Sequence, residues 1–218
     1  MDYRLYLKNA FRHAGLKRIV PLAREKLNIL VYKEHAPLYA ERLWVNPLEI
    51  NKSVRLGSQT STSGKILRQK KLFDNCIPVK EDNIIKKCFD HWVYGKSWKE
   101  TGIVDELLLL IGQYGSYDGC KSESDVVERY RALDSLFNTV SKARRLKPKN
   151  ELSKNAFREE GGILIHIGPN GELFFGGNGN HRLAIALILE VESIPVQLGA
   201  TYHGALQQLQ NLRKPELT

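Results

Sequence analysis

Cysteine is scarce and odd in number: Cys76, Cys88 and Cys120 stand far apart. Neither a disulfide framework nor a zinc site is expected, and reduced thiols suit a cytoplasmic protein. The six histidines form no HxxxH-type pair, so no metal site is read from them. Apolar runs such as Leu107-Leu108-Leu109-Leu110-Ile111 fall far short of the roughly 20 residues that a bilayer-crossing helix needs. The N-terminus is charged from Asp2 and Arg4 onward and shows no small-residue cleavage site behind an apolar stretch, so no signal peptide is expected. Internal repeats and low-complexity segments are also missing. What remains is 218 residues with 42% hydrophobic content, enough for a proper core in one domain, or in one domain with a substantial appendage.

Acid is in deficit. With 33 Lys and Arg against 24 Asp and Glu, the net charge is +9, which points to an anionic partner. Nucleic acid, nucleotide phosphates and an acidic membrane surface all qualify, and a generic basic surface is the plain alternative. The bias is strong at the start. Arg4, Lys8, Arg12, Lys17, Arg18, Arg24 and Lys26 against Asp2 and Glu25 give 7 − 2 = +5 over residues 1–30. Apolar Leu5, Leu7, Phe11, Leu16, Ile19, Val20, Leu22, Leu27 and Leu30 among them predict helix over residues 2–33, divided at Gly15 and Pro21. Such a segment could lie on an anionic membrane or grip a phosphate backbone. A solvated outer face on a packing helix is the default expectation.

Leu43-Trp44-Val45 reads as a short strand closed by Asn46-Pro47. Residues 57–64, Gly-Ser-Gln-Thr-Ser-Thr-Ser-Gly, read as a mobile loop that leads into Lys65, Arg68, Lys70 and Lys71. Helices are expected over residues 84–94, 98–111 and 125–143. The last carries Val126, Tyr130, Leu133, Phe137 and Val140 on one face, with Ser124 or Asp125 as cap. It runs into a second basic cluster at residues 142–149.

The last third is the most legible. Ile163 to Ile167 and Leu173-Phe174-Phe175 form a hairpin around Gly168-Pro169-Asn170-Gly171. Gly176, Gly177 and Gly179 then break regular structure, a helix starts near His181 or Arg182, and Ile194 to Leu198 makes a final strand. The first N–H groups of a helix lack partners and carry the positive end of its dipole, so this junction suits an anion. Arg182 adds a forked cationic donor, and His181 a group able to exchange a proton near neutrality. Asn178 and Asn180 can bind a ligand or cap the helix. The spacing is neither a Walker loop nor GxGxxG.

Gly177-Asn178-Gly179-Asn180-His181-Arg182-Leu183-Ala184, after a hairpin and before an Ile-Pro-Val strand, resembles the signature loop of the ParB/sulfiredoxin superfamily. The likeness is sharp over about residues 161–198, and Trp44 to Ile50 resembles the family's first strand and following loop. It implies an α+β fold with a small mixed sheet in a domain over residues 41–218, a helical insertion at about 80–150 and a basic helical extension over residues 1–40. It also implies a nucleotide phosphate held at Gly176, Gly177, Asn178, Gly179, Asn180, His181 and Arg182. Members include chromosome-partitioning proteins that bind CTP and DNA, sulfiredoxin and a free serine kinase. Sulfiredoxin's cysteine corresponds to Asn180, so thiol chemistry is not expected. Kinase-like members carry an acid where Asn178 stands, so Glu49 or Asp74 would have to supply a carboxylate. The expected function is a kinase-like phosphotransferase or nucleotide hydrolase. It would use a nucleoside di- or triphosphate with Mg²⁺, with His181, Arg182 and Glu49 as catalytic residues. The alternative is a non-catalytic or nuclease-like nucleotide- or nucleic-acid-binding module. Lys65, Arg68 and His203 are secondary candidates, and the expected location is cytoplasmic or peripheral to a membrane.

Overall fold

The computed structural model describes residues 16–213. The expected apolar positions Leu5, Leu7 and Phe11, and the break at Gly15, lie outside the described residues. Among the described residues the fold is α+β, with eight α-helices and one mixed seven-stranded sheet. In chain order the elements are α1 (Leu16–Tyr32), β1 (Arg42–Val45), β2 (Lys52–Ser53), α2 (Gln59–Thr62), β3 (Ile66–Leu67), β4 (Ile77–Pro78), α3 (Asn83–Trp92), α4 (Ile103–Tyr114), α5 (Glu123–Ala143), α6 (Lys149–Leu152), β5 (Ile163–Ile167), β6 (Leu173–Phe175), α7 (Asn180–Ile188), β7 (Ile194–Tyr202) and α8 (Leu206–Arg213).

The sheet runs β1-β7-β5-β6-β2-β4, with β3 on the outer edge of β7 beyond β1. The hairpin forms as expected, with Ile165 opposite Phe175 and Ile167 opposite Leu173. Alternation along β5 and β6 sends Ile163, Ile165, Ile167, Leu173 and Phe175 to one face. There they share a core with α7 and the helices α3 to α5. The other face is smaller: Phe174 packs with Val54, Leu67, Phe73 and Ala200. α5 is capped by Ser122, not by Ser124 or Asp125 as expected: in a capping box Ser122 Oγ accepts from Asp125 N, and the Asp125 carboxylate, in the first turn of the helix, accepts from Ser122 N. Its inner face meets Trp92 and Trp98. Asp134 accepts from both indole N–H groups, at 3.0 and 3.2 Å, which satisfies the polar ends of two largely apolar rings.

Several expectations change. Pro21 does not divide the first helix; α1 runs through it, giving up only the N–H that would bond one turn back. Residues 57–64 do not form a plain loop. α2 occupies part of them, and Ser63 is fully buried, its hydroxyl accepting from Ala40 N at 2.9 Å and donating to Leu198 O at 2.6 Å. The helix expected over 98–111 instead begins at Ile103, because Gly102 takes a left-handed conformation and Trp98 turns into the core. The final strand continues to Tyr202, since β3 supplies partners for Thr201 and Tyr202.

That extension carries an irregularity. Ile165 pairs with Leu198 but Ile167 pairs with Thr201, so β7 holds one extra residue opposite His166. The bulge leaves the Ala200 N–H turned from the ladder, and His166 Nδ1 accepts it at 2.9 Å. His166 is fully buried. A Cβ on Gly199 would sit 2.2 Å from His166 Nδ1 and 2.9 Å from Ile165 O, so the ring requires glycine beside it. Gly199→Ala is expected to destabilise the fold by roughly 2–4 kcal/mol, the range of a buried polar bond broken together with overpacking. Urea unfolding of the two proteins checks this.

Candidate functional site

Beyond β6 the glycine loop is tied to β5 by backbone bonds: Gly176 N to Leu164 O at 2.8 Å and Leu164 N to Asn178 O at 3.0 Å. Gly179 approaches β5 so closely that a Cβ would lie 2.8 Å from Ile163 Cα, and its φ of +82° is left-handed. It occupies the N-cap of α7, and no side chain caps that helix. The first N–H groups of α7 are therefore left for a ligand or water. The helix begins at Asn180, a residue earlier than the sequence suggests.

The candidate residues divide between two sides of this loop. Asn180 lines a cleft of about 920 Å³, as does Gly177. The Asn180 amide donates to Gly177 O at 3.3 Å, and its Oδ1 has no partner among the described residues. Gly176 lies against the His166 ring, where a Cβ would come within 2.6 Å of Nε2. Asn178 turns inward and donates to Gly162 O at 2.7 Å. A carboxylate could not donate there, so the amide at this position answers a structural need.

His181 and Arg182 do not line the cleft. The His181 ring meets Tyr130 edge-on at 5.8 Å, and its Nε2 is shut off from solvent with no partner among the described residues. Arg182 donates to Lys147 O at 2.5 Å and lies 4.0 Å from Glu159, a fully buried carboxylate that also accepts from Lys149 N at 3.1 Å. Burial lowers the Arg182 pKa and raises that of Glu159. Glu49 is exposed in the turn after β1, outside the cleft. Asp74 and Arg68 do not line it either. His203 packs edge-on to Tyr32, with ring centroids 6.2 Å apart. Of the secondary candidates, Lys65 alone reaches the cleft. In the second basic cluster Arg144 donates to Glu190 O and Arg145 pairs with Glu151, so part of it is committed to the fold.

The cleft's charged side chains come mainly from segments that carry no motif. Arg55, just past β2, lies against the glycine loop; a Cβ on Gly177, whose φ is +91°, would fall 2.4 Å from its Cζ. Arg55 pairs with Asp82 and donates to Ser53 Oγ at 2.8 Å, while Ser53 donates to Asp82 at 3.0 Å. Asp82 is buried, whereas half of the Arg55 side chain is exposed to the cleft. Lys65 and Lys71 face the same space and form no ion pair among the described residues, and Asn75 and Tyr117 complete its rim. One buried carboxylate thus anchors an arginine beside an uncapped helix start, and two lysines line the same cleft. That arrangement suits a multiply charged anion. The local signal in the sequence was weak, because Arg55 and Asp82 are 27 residues apart and meet only when β2 pairs with β4 and β6.

Among the described residues no group of three or more His, Cys, Asp or Glu side chains is placed to hold a metal. No helix described is long and apolar enough to cross a membrane. Compared with protein-family models, curated proteins and solved structures, the chain matches none.

Burial, with smaller contributions from Arg55 and Arg129 respectively, pulls the His166 and His181 pKa values down to about 4. Both stay neutral in the fold while the unfolded chain takes up protons below pH 6.5. Stability is therefore expected to be flat, as far as these groups act, above pH 6.5. It falls as pH drops from 6.5 towards 4, by roughly 2 kcal/mol per imidazole by pH 5. Urea midpoints between pH 7 and 5, above the carboxylate range, test this. The fall should shrink in His181→Gln, and an unchanged midpoint would show that the folded rings take up protons as readily as the unfolded chain.

Proposed function

We propose that this protein binds a nucleoside di- or triphosphate in the cleft beside the glycine loop and carries out phosphoryl transfer or hydrolysis there. The observation that carries the reading is the convergence of Arg55, Lys65 and Lys71 on the uncapped start of α7. The likeness of residues 161–198 to the ParB/sulfiredoxin loop adds to it and supplies the nucleotide. The α7 N–H groups and Arg55 would hold phosphate oxygens, and the lysines would offset charge that develops in the transition state.

In this reading His181 and Arg182 act through position. Arg182 fastens α7 to Lys147 and Glu159, and His181 packs the helix start against α5, so the N–H groups keep their aim. Asp82 takes the place expected of Glu49, as the carboxylate that reaches the cleft. Mg²⁺ suits this set as an ion carried by the phosphates, because Mg²⁺ commonly needs only one or two protein carboxylates when phosphate oxygens complete its shell. Bound so, it would offset phosphate charge.

A second reading has its own observation. Asp82 is already engaged by Arg55 and Ser53, which favours a module that binds nucleotide without turning it over. Titration with ATP, ADP, GTP and CTP, with and without Mg²⁺, should raise the melting temperature for at least one. Arg55→Ala and Lys71→Ala should each weaken that binding roughly tenfold or more, the scale of removing one charge-assisted hydrogen bond. Turnover abolished in Asp82→Asn with binding retained supports the enzyme. Binding with no turnover in the wild type supports the module. No stabilisation by any nucleotide would overturn both.

A further inference from the structure

α1 is turned inside out. At 100° per residue, Ile19, Val20, Ala23, Leu27, Leu30 and Val31 fall on one stripe, and that stripe faces solvent. Val20, Leu27, Leu30 and Val31 are 63–77% exposed, which is unusual for four aliphatic side chains on one helix face. The inward face is polar instead. Glu25 accepts from Arg158 at 2.6 and 2.9 Å and from Tyr39 N at 2.7 Å. Asn28 donates to Pro37 O and Gly64 O, and Arg24 to Ser63 O. The helix is thus fixed to the body by hydrogen bonds, and its apolar surface contributes little to the fold.

Within α1 the exposed charge bordering the stripe is of one sign, with the exposed Glu34 and Lys33 following in the next turn. Lys17 and Lys26 are exposed on its two margins, and the helix's only acid, Glu25, is buried with Arg158. An apolar face edged by lysines and free of acid complements a surface that is apolar beneath and anionic on top. A second copy is a poorer fit. Six outward side chains are far fewer than the roughly 20–30 residues a side of a stable protein interface. We propose that α1 docks the protein on an anionic lipid bilayer, lying in the plane of the headgroups with Leu27 and Leu30 inserted and Lys17 and Lys26 at the phosphates. The helix does not span; at 17 residues it is roughly 25 Å long and too polar on its inner side. The cleft is a separate site, and this docking does not depend on its ligand.

Vesicle flotation of the full chain tests the proposal. Vesicles of phosphatidylcholine with a third phosphatidylserine should retain the protein at least about tenfold better than phosphatidylcholine alone, and salt should weaken retention. Leu27→Glu/Leu30→Glu should reduce retention by about tenfold or more, and Lys17→Glu/Lys26→Glu should remove the preference for anionic lipid. All four positions point outward, so circular dichroism and the urea midpoint should match the wild type. Absence of retention on anionic vesicles would overturn the proposal, as would retention untouched by the leucine pair. A dimer that Leu27→Glu/Leu30→Glu converts to monomer, with no vesicle binding, would assign the face to a second copy.

Discussion

The imidazole of His166 fixes the middle of the sheet. It stands where β5 meets the bulge of β7, takes the N–H that the bulge would otherwise strand, and fills the space left by two glycines. A buried N–H without a partner is costly, so the bulge and the histidine require each other. Because Nδ1 accepts, the neutral ring carries its proton on Nε2, under Gly176, where that N–H has no partner among the described residues, so the ring moves the unpaired donor from the backbone to a side chain. The glycine loop is laid directly on that ring. The course of the chain from β6 into α7 therefore rests in part on one buried, uncharged side chain.

The loop's other anchors act to the same end. Asn178 closes onto Gly162, Gly179 lies against Ile163, and Arg182 reaches across to Lys147. Side chains in a row along the motif thus serve to hold the backbone, and of this loop only Gly177 and Asn180 line the cleft. The cationic side chains that line it arrive from just past β2 and from the segments on either side of β3. This division of labour explains how a motif can look catalytic in sequence while its most conspicuous residues, His181 and Arg182, are turned into the protein.

α1 shows the same lesson in reverse. Its composition of basic and aliphatic residues suited a packing helix with a solvated charged face. The body it meets offers Arg158, the Tyr39 N–H and several carbonyls, so polar residues bind inward and the aliphatic stripe is left outside. Periodicity identifies the two faces of a helix but not which of them meets the core.

Elements whose signals are local were legible in the sequence: the Ile163–Phe175 hairpin with its Pro-Asn-Gly turn, the long α5, the glycine break before α7 and the short strand before Asn46-Pro47. Turn chemistry, capping and apolar period act over a few residues and need no partner to be read. Tertiary structure decided the rest. Strands of two residues such as β2, β3 and β4 have no period to detect and exist only because longer strands offer them hydrogen bonds. The Ser53–Arg55–Asp82 cluster, the depth of His181, the burial of Ser63 and the outward face of α1 depend on contacts between distant segments, and so on the packing that brings those segments together.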